Sequence, residues 1–295
     1  MNNINRVTIK APAKVNLYLG VVGKRPDGYH DLVSVMQALS LADELTIEHA
    51  AEGITLTCDN PRVPVGEGNI AYRAAAALMA EAGVKGGVSI HISKRTPMAA
   101  GLGGGSSDAA AALKGVDILF GLGTPNARLR EIGLTLGADV PFFLSWPTAL
   151  AEGVGERLTE LPNPKETWLV LVNPGFEVST KWVYSNLNLG LTNSINSIKL
   201  PPFEGYAHDA GLLTSYLHND LERVTAGKYP QINEIKVRLV GEGALGALMS
   251  GSGPTVFGVF RDRSAAEAAA ARLKLPGWTV LATCTVSAWP KPLIG

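Results

Sequence analysis

Pro97-Met-Ala-Ala-Gly-Leu-Gly-Gly-Gly-Ser-Ser-Asp-Ala-Ala110 decides how the rest of this chain is read. Four of the five residues from Gly101 to Gly105 are glycine, a residue that costs roughly 0.5–1 kcal/mol per position inside a regular element. Upstream, Val88-Ser-Ile-His-Ile-Ser93 alternates as a half-buried strand. Downstream, Ser106-Ser-Asp-Ala-Ala-Ala-Ala-Leu113 opens with residues that favour an N-cap and continues in strong helix formers. Strand, glycine loop and helix N-terminus together expose backbone N–H groups at the positive end of a helix dipole, where an anion such as phosphate is held. Ser106 and Ser107 add hydroxyls to that cradle. The segment is not a Walker A loop, because no Gly-x-x-x-x-Gly-Lys-Ser/Thr occurs. Nor does it fit the dinucleotide fingerprint, since Ser106 stands where the third glycine belongs. A plain turn needs one or two glycines, so the quartet points to phosphate binding.

The whole chain bounds that reading. Its 295 residues give room for one large domain or two of about 150. Lys plus Arg and Asp plus Glu are balanced at 26 each, so no global field draws nucleic acid or membrane and any anion site is local. Cys58 and Cys284 lie far apart without metal-ligand spacing, which predicts free thiols in a reducing compartment. No apolar signal core and no run of eighteen apolar residues is present. A cytoplasmic protein is the expectation, with monomer and homodimer both open.

Along the chain, residues 7–22 read as a strand. Alternation places Ala13, Val15, Leu17 and Leu19 on one face and Lys14, Asn16 and Tyr18 on the other. The polar face suits chemistry, or equally a solvated edge. Pro26-Asp-Gly28 is a turn tip, and Tyr29-His30 emerging from it can stack on and hydrogen-bond to a planar ligand. Residues 32–39, 45–48 and 54–58 read as further strands, and 69–82 as a helix. The helix opening at Ser106 runs to about Leu119; Thr124 caps the next, with Pro125 at its first position. Asp139 is the one carboxylate in the apolar stretch Gly137-Ala-Asp-Val-Pro-Phe-Phe143. It is either a positioned acid or base or an N-cap.

Residues 148–152 and 168–173 read as strands and 180–187 as a helix carrying Trp182 and Tyr184. An Asn-rich stretch ending in Pro201-Pro202 reads as a long loop. Helices over 210–218 and 230–240 come next. Strands at 244–249 and 255–260 flank a second glycine loop, Ser250-Gly-Ser-Gly-Pro254, before a final helix at 264–273 and a strand at 279–287. This order is that of a split βαβ unit.

Three motifs, Pro12-Ala-Lys-Val-Asn-Leu-Tyr-Leu19, residues 97–110 and Ser250-Gly-Ser-Gly-Pro-Thr-Val-Phe257, make the chain resemble the GHMP kinase superfamily over essentially its full length. Arg25-Pro-Asp-Gly-Tyr-His-Asp-Leu32 and the doubled Gly104-Gly105 resemble the branch whose alcohol acceptor is a cytidine-diphosphate-linked methylerythritol. The resemblance implies an α+β, two-domain GHMP kinase fold. Residues 1–163 would form a ribosomal-protein-S5-like α/β domain that binds ATP and carries catalysis. Residues 164–295 would form a ferredoxin-like split βαβ domain on the substrate side. It further implies that Pro97, Met98, Ala99, Ala100, Gly101, Leu102, Gly103, Gly104, Gly105, Ser106 and Ser107 cradle the phosphates of ATP with Mg²⁺. Asp139 would act as base toward the hydroxyl. Lys14 would lie beside both, either depressing the pKa of Asp139 or of the hydroxyl, or holding the γ-phosphate. Tyr29, His30 and Tyr184 (or Trp182 in its stead) would hold the cytosine, Asn16 would touch the acceptor, and Gly251, Ser252 and Gly253 would close the site.

Overall fold

The structure, a computed structural model, describes residues 4–188 and 210–295. Its spine is an antiparallel ribbon of two long strands, β1 (Arg6–Lys24) and β2 (His30–Ala50). The two short strands expected at 32–39 and 45–48 are one: the register shifts opposite Pro12 and Lys14 but β2 does not break. On β2 lie β4 (Gly87–Ser93), with β3 (Ile54–Cys58) parallel at its outer edge, and β5 (Thr148–Gly153), continued by β6 (Arg157–Glu160). No sequence pattern announced β6, whose four residues include two charged ones and expose three.

Against this sheet pack α1 (Ile70–Glu81), α2 (Gly104–Phe120), α3 (Asn126–Leu136) and the short α4 (Val140–Phe143). The α1 helix begins where Asn69 accepts a hydrogen bond from the N–H of Ala71 at 2.8 Å. Ala71, Ala74, Ala75 and Leu78 recur at helical spacing and are buried. They meet the alanines of α2, so two flat faces close over Ile47, Ile90 and Ile92. Gly115 belongs to that contact, because a Cβ there would stand 2.1 Å from Cδ1 of Ile47. The cap of α3 is one residue later than expected: Pro125, with ψ 136, occupies the extended cap position and the helix starts at Asn126.

The C-terminal half supplies β7 (Trp168–Asn173), α5 (Thr180–Ser185), α6 (Ala210–Thr214), β8 (His218–Asn219), α7 (Asp220–Lys228), α8 (Gln231–Gly241), β9 (Gly246–Met249), β10 (Val256–Phe260), α9 (Arg263–Arg272), β11 (Thr279–Cys284) and β12 (Leu293–Ile294). The strands β11-β7-β10-β9 form an antiparallel sheet in that order, the split arrangement read from the sequence. The helix expected over 210–218 stops at Thr214, because His218 and Asn219 pair in parallel with Tyr18 and Leu19. Asn219 then caps α7, accepting from the N–H of Leu221 at 2.9 Å. That helix escaped the sequence pattern because its inner face is only Leu221, Thr225 and Ala226. The loop expected to reach Pro201-Pro202 lies, beyond Asn188, outside the described residues.

The two sheets share a core. Ala13, Val15, Leu17, Val35 and Leu39 from the larger pack with Leu169, Leu171, Leu248, Phe257 and Val259 from the smaller. β8 and β12 also return to the edge of β1, so β1 touches both halves.

The alternation read along β1 needs a correction. Asn16 pairs with Met36 and Tyr18 with Val35, so Leu17 is an extra residue and the strand bulges there. A bulge reverses the parity of every residue beyond it. Tyr18 therefore joins the shared core and lies 5.2 Å from the ring of His218, while Leu19 crosses to the cavity that Lys14 and Asn16 line.

Candidate active site

The glycine loop is held on three sides. The N–H of Lys14 donates to the carbonyl of Leu102 at 2.9 Å, tying the loop to β1. The hydroxyl of Ser250 donates to the carbonyl of Gly101 at 2.9 Å, tying it to the second glycine loop. Leu102 is driven into the shared core. Two glycines are demanded by this crowding. At Gly101 (φ +75) a Cβ would stand 2.2 Å from the carbonyl oxygen of Ser250; at Gly103 (φ +68) it would stand 2.9 Å from Cζ of Phe143 and 3.0 Å from Cγ of Lys14. Ala99 takes a left-handed φ of 48 as well, a conformation that strains a side-chain-bearing residue by roughly 1–2 kcal/mol.

Helix α2 starts two residues earlier than expected, at Gly104, with Gly103 in the cap position and no side-chain cap. Ser106 and Ser107 therefore lie inside the first turn instead of capping it. A cavity of about 380 Å³ opens over this turn, lined by every residue from Pro97 to Ser106 and by Lys94 and Asp108. Ser107 is not brought to it; it is buried and faces a different cavity across α2.

Adjoining is a cavity of about 280 Å³ that shares Ala99, Gly101 and Gly103 with the first and adds Lys14, Asn16, Asp139, Thr180 and Gly251–Gly253. Lys14 is buried, and its orientation results from a chain of hydrogen bonds. Its Nζ donates to Oδ1 of Asn16 at 2.6 Å. Nδ2 of Asn16 donates to Oγ of Ser34 at 2.8 Å, and that hydroxyl donates to the carbonyl of Tyr18 at 2.7 Å. Each link fixes the amide orientation of Asn16, so the ammonium points one way. It lies 3.5 Å from Oδ2 of Asp139. Asp139 occupies the cap position of α4 yet makes no capping hydrogen bond, so the capping reading fails. Its side chain is 39% exposed into the cavities. The second glycine loop is secured by Asn219, whose Nδ2 donates to the carbonyls of Met249 and Gly251 at 2.8 Å each.

Asp139 and Thr180 also line a third cavity, of about 700 Å³, with Lys24, Tyr29, His30 and Tyr184. The rings of His30 and Tyr184 are stacked with centroids 5.1 Å apart. Burial, reinforced by Asp139, pushes the Tyr184 hydroxyl up to about 12, so it stays protonated. Burial and then Lys24 lower the His30 imidazole, which is neutral at pH 7 and able to donate and accept. Tyr29 stands at the rim, 66% exposed. Trp182 is outside this cavity, its ring 4.1 Å beneath the ammonium of Lys228.

Two features were missed in the sequence. Under the glycine loop Nζ of Lys94 donates to Oδ2 of Asp43 at 2.6 Å and to Oδ2 of Asp108 at 2.5 Å, all three side chains being almost fully buried. Asp43 also accepts from the N–H groups of Arg95 and Thr96. Burial is the main cause that pushes Asp108 up to about 7; Lys94 opposes it and Asp43 adds to it. A charged residue just before Pro97 and another inside the motif were visible, but not that they meet. The second is the hydrogen bond of 2.8 Å between the hydroxyls of Thr180 and Ser252, which joins α5 to the second glycine loop.

Comparison with known proteins identifies the family. Residues 69–145 match the GHMP kinases N terminal domain and residues 204–277 the GHMP kinases C terminal domain. The 4-diphosphocytidyl-2-C-methyl-D-erythritol kinase of Geobacter sulfurreducens is 51% identical over 285 residues, covering 96% of this chain and all of that one. Its counterpart in Acetivibrio thermocellus is 48% identical over 280 residues, covering 95% and 99%. Among solved structures, a 4-(cytidine 5'-diphospho)-2C-methyl-D-erythritol kinase superposes with a TM-score of 0.79 at 36% identity over 94% of this chain and 98% of that one. The homoserine kinase of Cytophaga hutchinsonii, at 19% identity, TM-score 0.72 and coverage of 100% and 98%, shares the fold.

Proposed function

This chain belongs to the GHMP kinases, which use ATP, and within them to the 4-diphosphocytidyl-2-C-methyl-D-erythritol kinases; on that premise we propose that it phosphorylates the 2-hydroxyl of 4-diphosphocytidyl-2-C-methyl-D-erythritol in isoprenoid precursor synthesis. One observation carries the assignment of roles: Lys14 and Asp139 face each other at 3.5 Å in a cavity that shares Ala99, Gly101 and Gly103 with the loop cavity and Asp139, Thr180 and Tyr184 with the Tyr29–His30–Tyr184 cavity.

ATP lies with its phosphates over residues 97–106, receiving the N–H groups of the first turn of α2. The acceptor lies in the third cavity with its cytosine among Tyr29, His30 and Tyr184, and its alcohol reaches Asp139. Asp139 takes the hydroxyl proton as the alcohol oxygen bonds to the γ-phosphorus. The bond from that phosphorus to the β,γ-bridging oxygen breaks, and ADP leaves. A positioned base contributes roughly 10²–10⁴-fold. Lys14 steadies the charge on the transferring phosphoryl oxygens, a role for which the Asn16–Ser34 chain pre-aligns it. Asn16, fixed beside Lys14, is an acceptor contact, and Gly251–Gly253 close the reaction cavity.

Mg²⁺ needs only one or two protein oxygens beside phosphate and water. Among the described residues no group of three or more His, Cys, Asp or Glu side chains could hold a metal by itself. The donors do fit a metal shared with phosphate: Ser106 lines the loop cavity, and Asp108, also lining it, has a buried Oδ1 without a hydrogen-bond partner. Bound there, the ion would neutralise phosphate charge. We also retain the division into residues 1–163 and 164–295 as a proposal; it falls between β6 and β7.

The test is ADP release with 4-diphosphocytidyl-2-C-methyl-D-erythritol beside homoserine, mevalonate and galactose. Turnover with the cytidine compound alone is expected. Turnover with another acceptor, and none with this one, overturns the assignment.

A further inference from the structure

Across the first turn of α2 from the loop cavity lies a separate cavity of about 220 Å³. Its charged lining residues are Lys10, Lys114 and Lys291, no carboxylate lines it, and Phe143 and Trp289 form apolar walls. Lys114 is its centre. The ammonium donates to the carbonyl of Phe143 at 3.1 Å and stands 5.5 Å from the centroid of Trp289. Among the described residues it has no carboxylate partner, and burial alone pulls it down to about 8. Lys94, equally enclosed, is balanced by two carboxylates. A buried cation is stable when an anion compensates it, and for Lys114 the described residues supply none. Ser107, on the same wall, is 1% exposed and its hydroxyl makes no hydrogen bond. The ring of Trp289 is fixed by donation from Nε1 to the carbonyl of Ser145 at 2.9 Å, so the apolar wall is rigid.

We propose that this cavity is a binding site for a small organic phosphate with a flat apolar body, Lys114 with Lys10 and Lys291 holding the phosphate and Trp289 and Phe143 enclosing the ring. The volume is below the range of about 300–1,000 Å³ usual for drug-sized ligands, which limits the body to about one ring. The site is coupled to the loop cavity through Phe143, whose ring abuts Gly103, and through Ser107 in the turn whose N–H groups face the loop cavity.

Isothermal titration of the intact protein with phenyl phosphate tests this, with inorganic phosphate and phenol as controls. Phenyl phosphate is expected to bind one to one, with or without a saturating non-hydrolysable ATP analogue. Lys114→Met should weaken it at least tenfold, a loss of about 1.4 kcal/mol, and leave ATP affinity in its absence unchanged. In the unmodified protein phenyl phosphate should also shield Lys114 from reductive methylation, read by mass spectrometry, so the test does not depend on the variant folding. Abolition of binding by the ATP analogue, wild-type affinity in Lys114→Met with no shielding, or absence of binding overturns the proposal. Inorganic phosphate or phenol binding as tightly as phenyl phosphate overturns it too, since each lacks half of the recognised chemistry.

Discussion

Above the glycine loop Lys14 meets one carboxylate, Asp139, at 3.5 Å; below it Lys94 is clamped between two, Asp43 and Asp108, at 2.6 and 2.5 Å. Both ammonium groups are buried, but the side chain of Asp139 is 39% exposed to the cavities whereas those of Asp43 and Asp108 are 0% and 5% exposed. A long, single contact to an accessible carboxylate leaves both partners available to a substrate. Short contacts to two buried carboxylates leave the cation little capacity for another anion. They also fix β2, the end of β4 and the start of α2 relative to one another, so the lower cluster holds the loop that the upper pair adjoins.

The comparison breaks first if the upper pair proves structural. Asp139→Asn and Lys14→Ala are each expected to lower kcat by about 10²–10⁴-fold while ATP still binds and the thermal midpoint moves little. Near wild-type turnover in either, measured by coupled ADP release, removes the proposed chemistry. Lys94→Met should do the reverse. It leaves two buried carboxylates without their cation and is expected to lower unfolding free energy by about 3 kcal/mol, read by urea denaturation, with the remaining folded enzyme far more active than Asp139→Asn.

The lower cluster also has a pH signature. Asp108 sits at about 7 when folded against an ordinary 3.8, so between those values the native state retains a proton that the unfolded chain has released. The stability this gives is present in acid and is lost as the pH rises through about 7. Asp108→Asn should flatten that slope. The smallest effect belongs to the cavity of Tyr29, His30 and Tyr184, the proposed acceptor site, where Tyr29→Ala should raise KM for the cytidine substrate about tenfold, within the 1–3 kcal/mol of base stacking, and leave KM for ATP unchanged. Equal changes in both would count against a cytosine contact.

Much of this was legible in the chain. The glycine quartet, Lys14, Asp139 and the second glycine loop are local signals, since each depends on residue types at fixed short spacing. The bulge at Leu17 was not legible, because an inserted residue changes parity without changing composition, and it misassigned Tyr18 and Leu19. Lys94 with Asp43 and Asp108 was invisible for another reason: its members are 51 and 14 residues apart, and a charge in sequence gives no sign of its distant partner. The choice between Tyr184 and Trp182 turned on which face of α5, itself six residues long, meets the cavity.

The sequence alone determined where a glycine loop meets a helix start, because glycine-rich turns and helix starts are written in adjacent residues. It determined the split order of the second sheet for the same reason. Only the tertiary structure decided that Lys14 and Asp139, 125 residues apart in number, meet at 3.5 Å, and that among the described residues one buried lysine has two carboxylates, another one and a third none. Those are matters of charge and distance in three dimensions, set by how β1, β2 and α2 pack, and no local pattern encodes them.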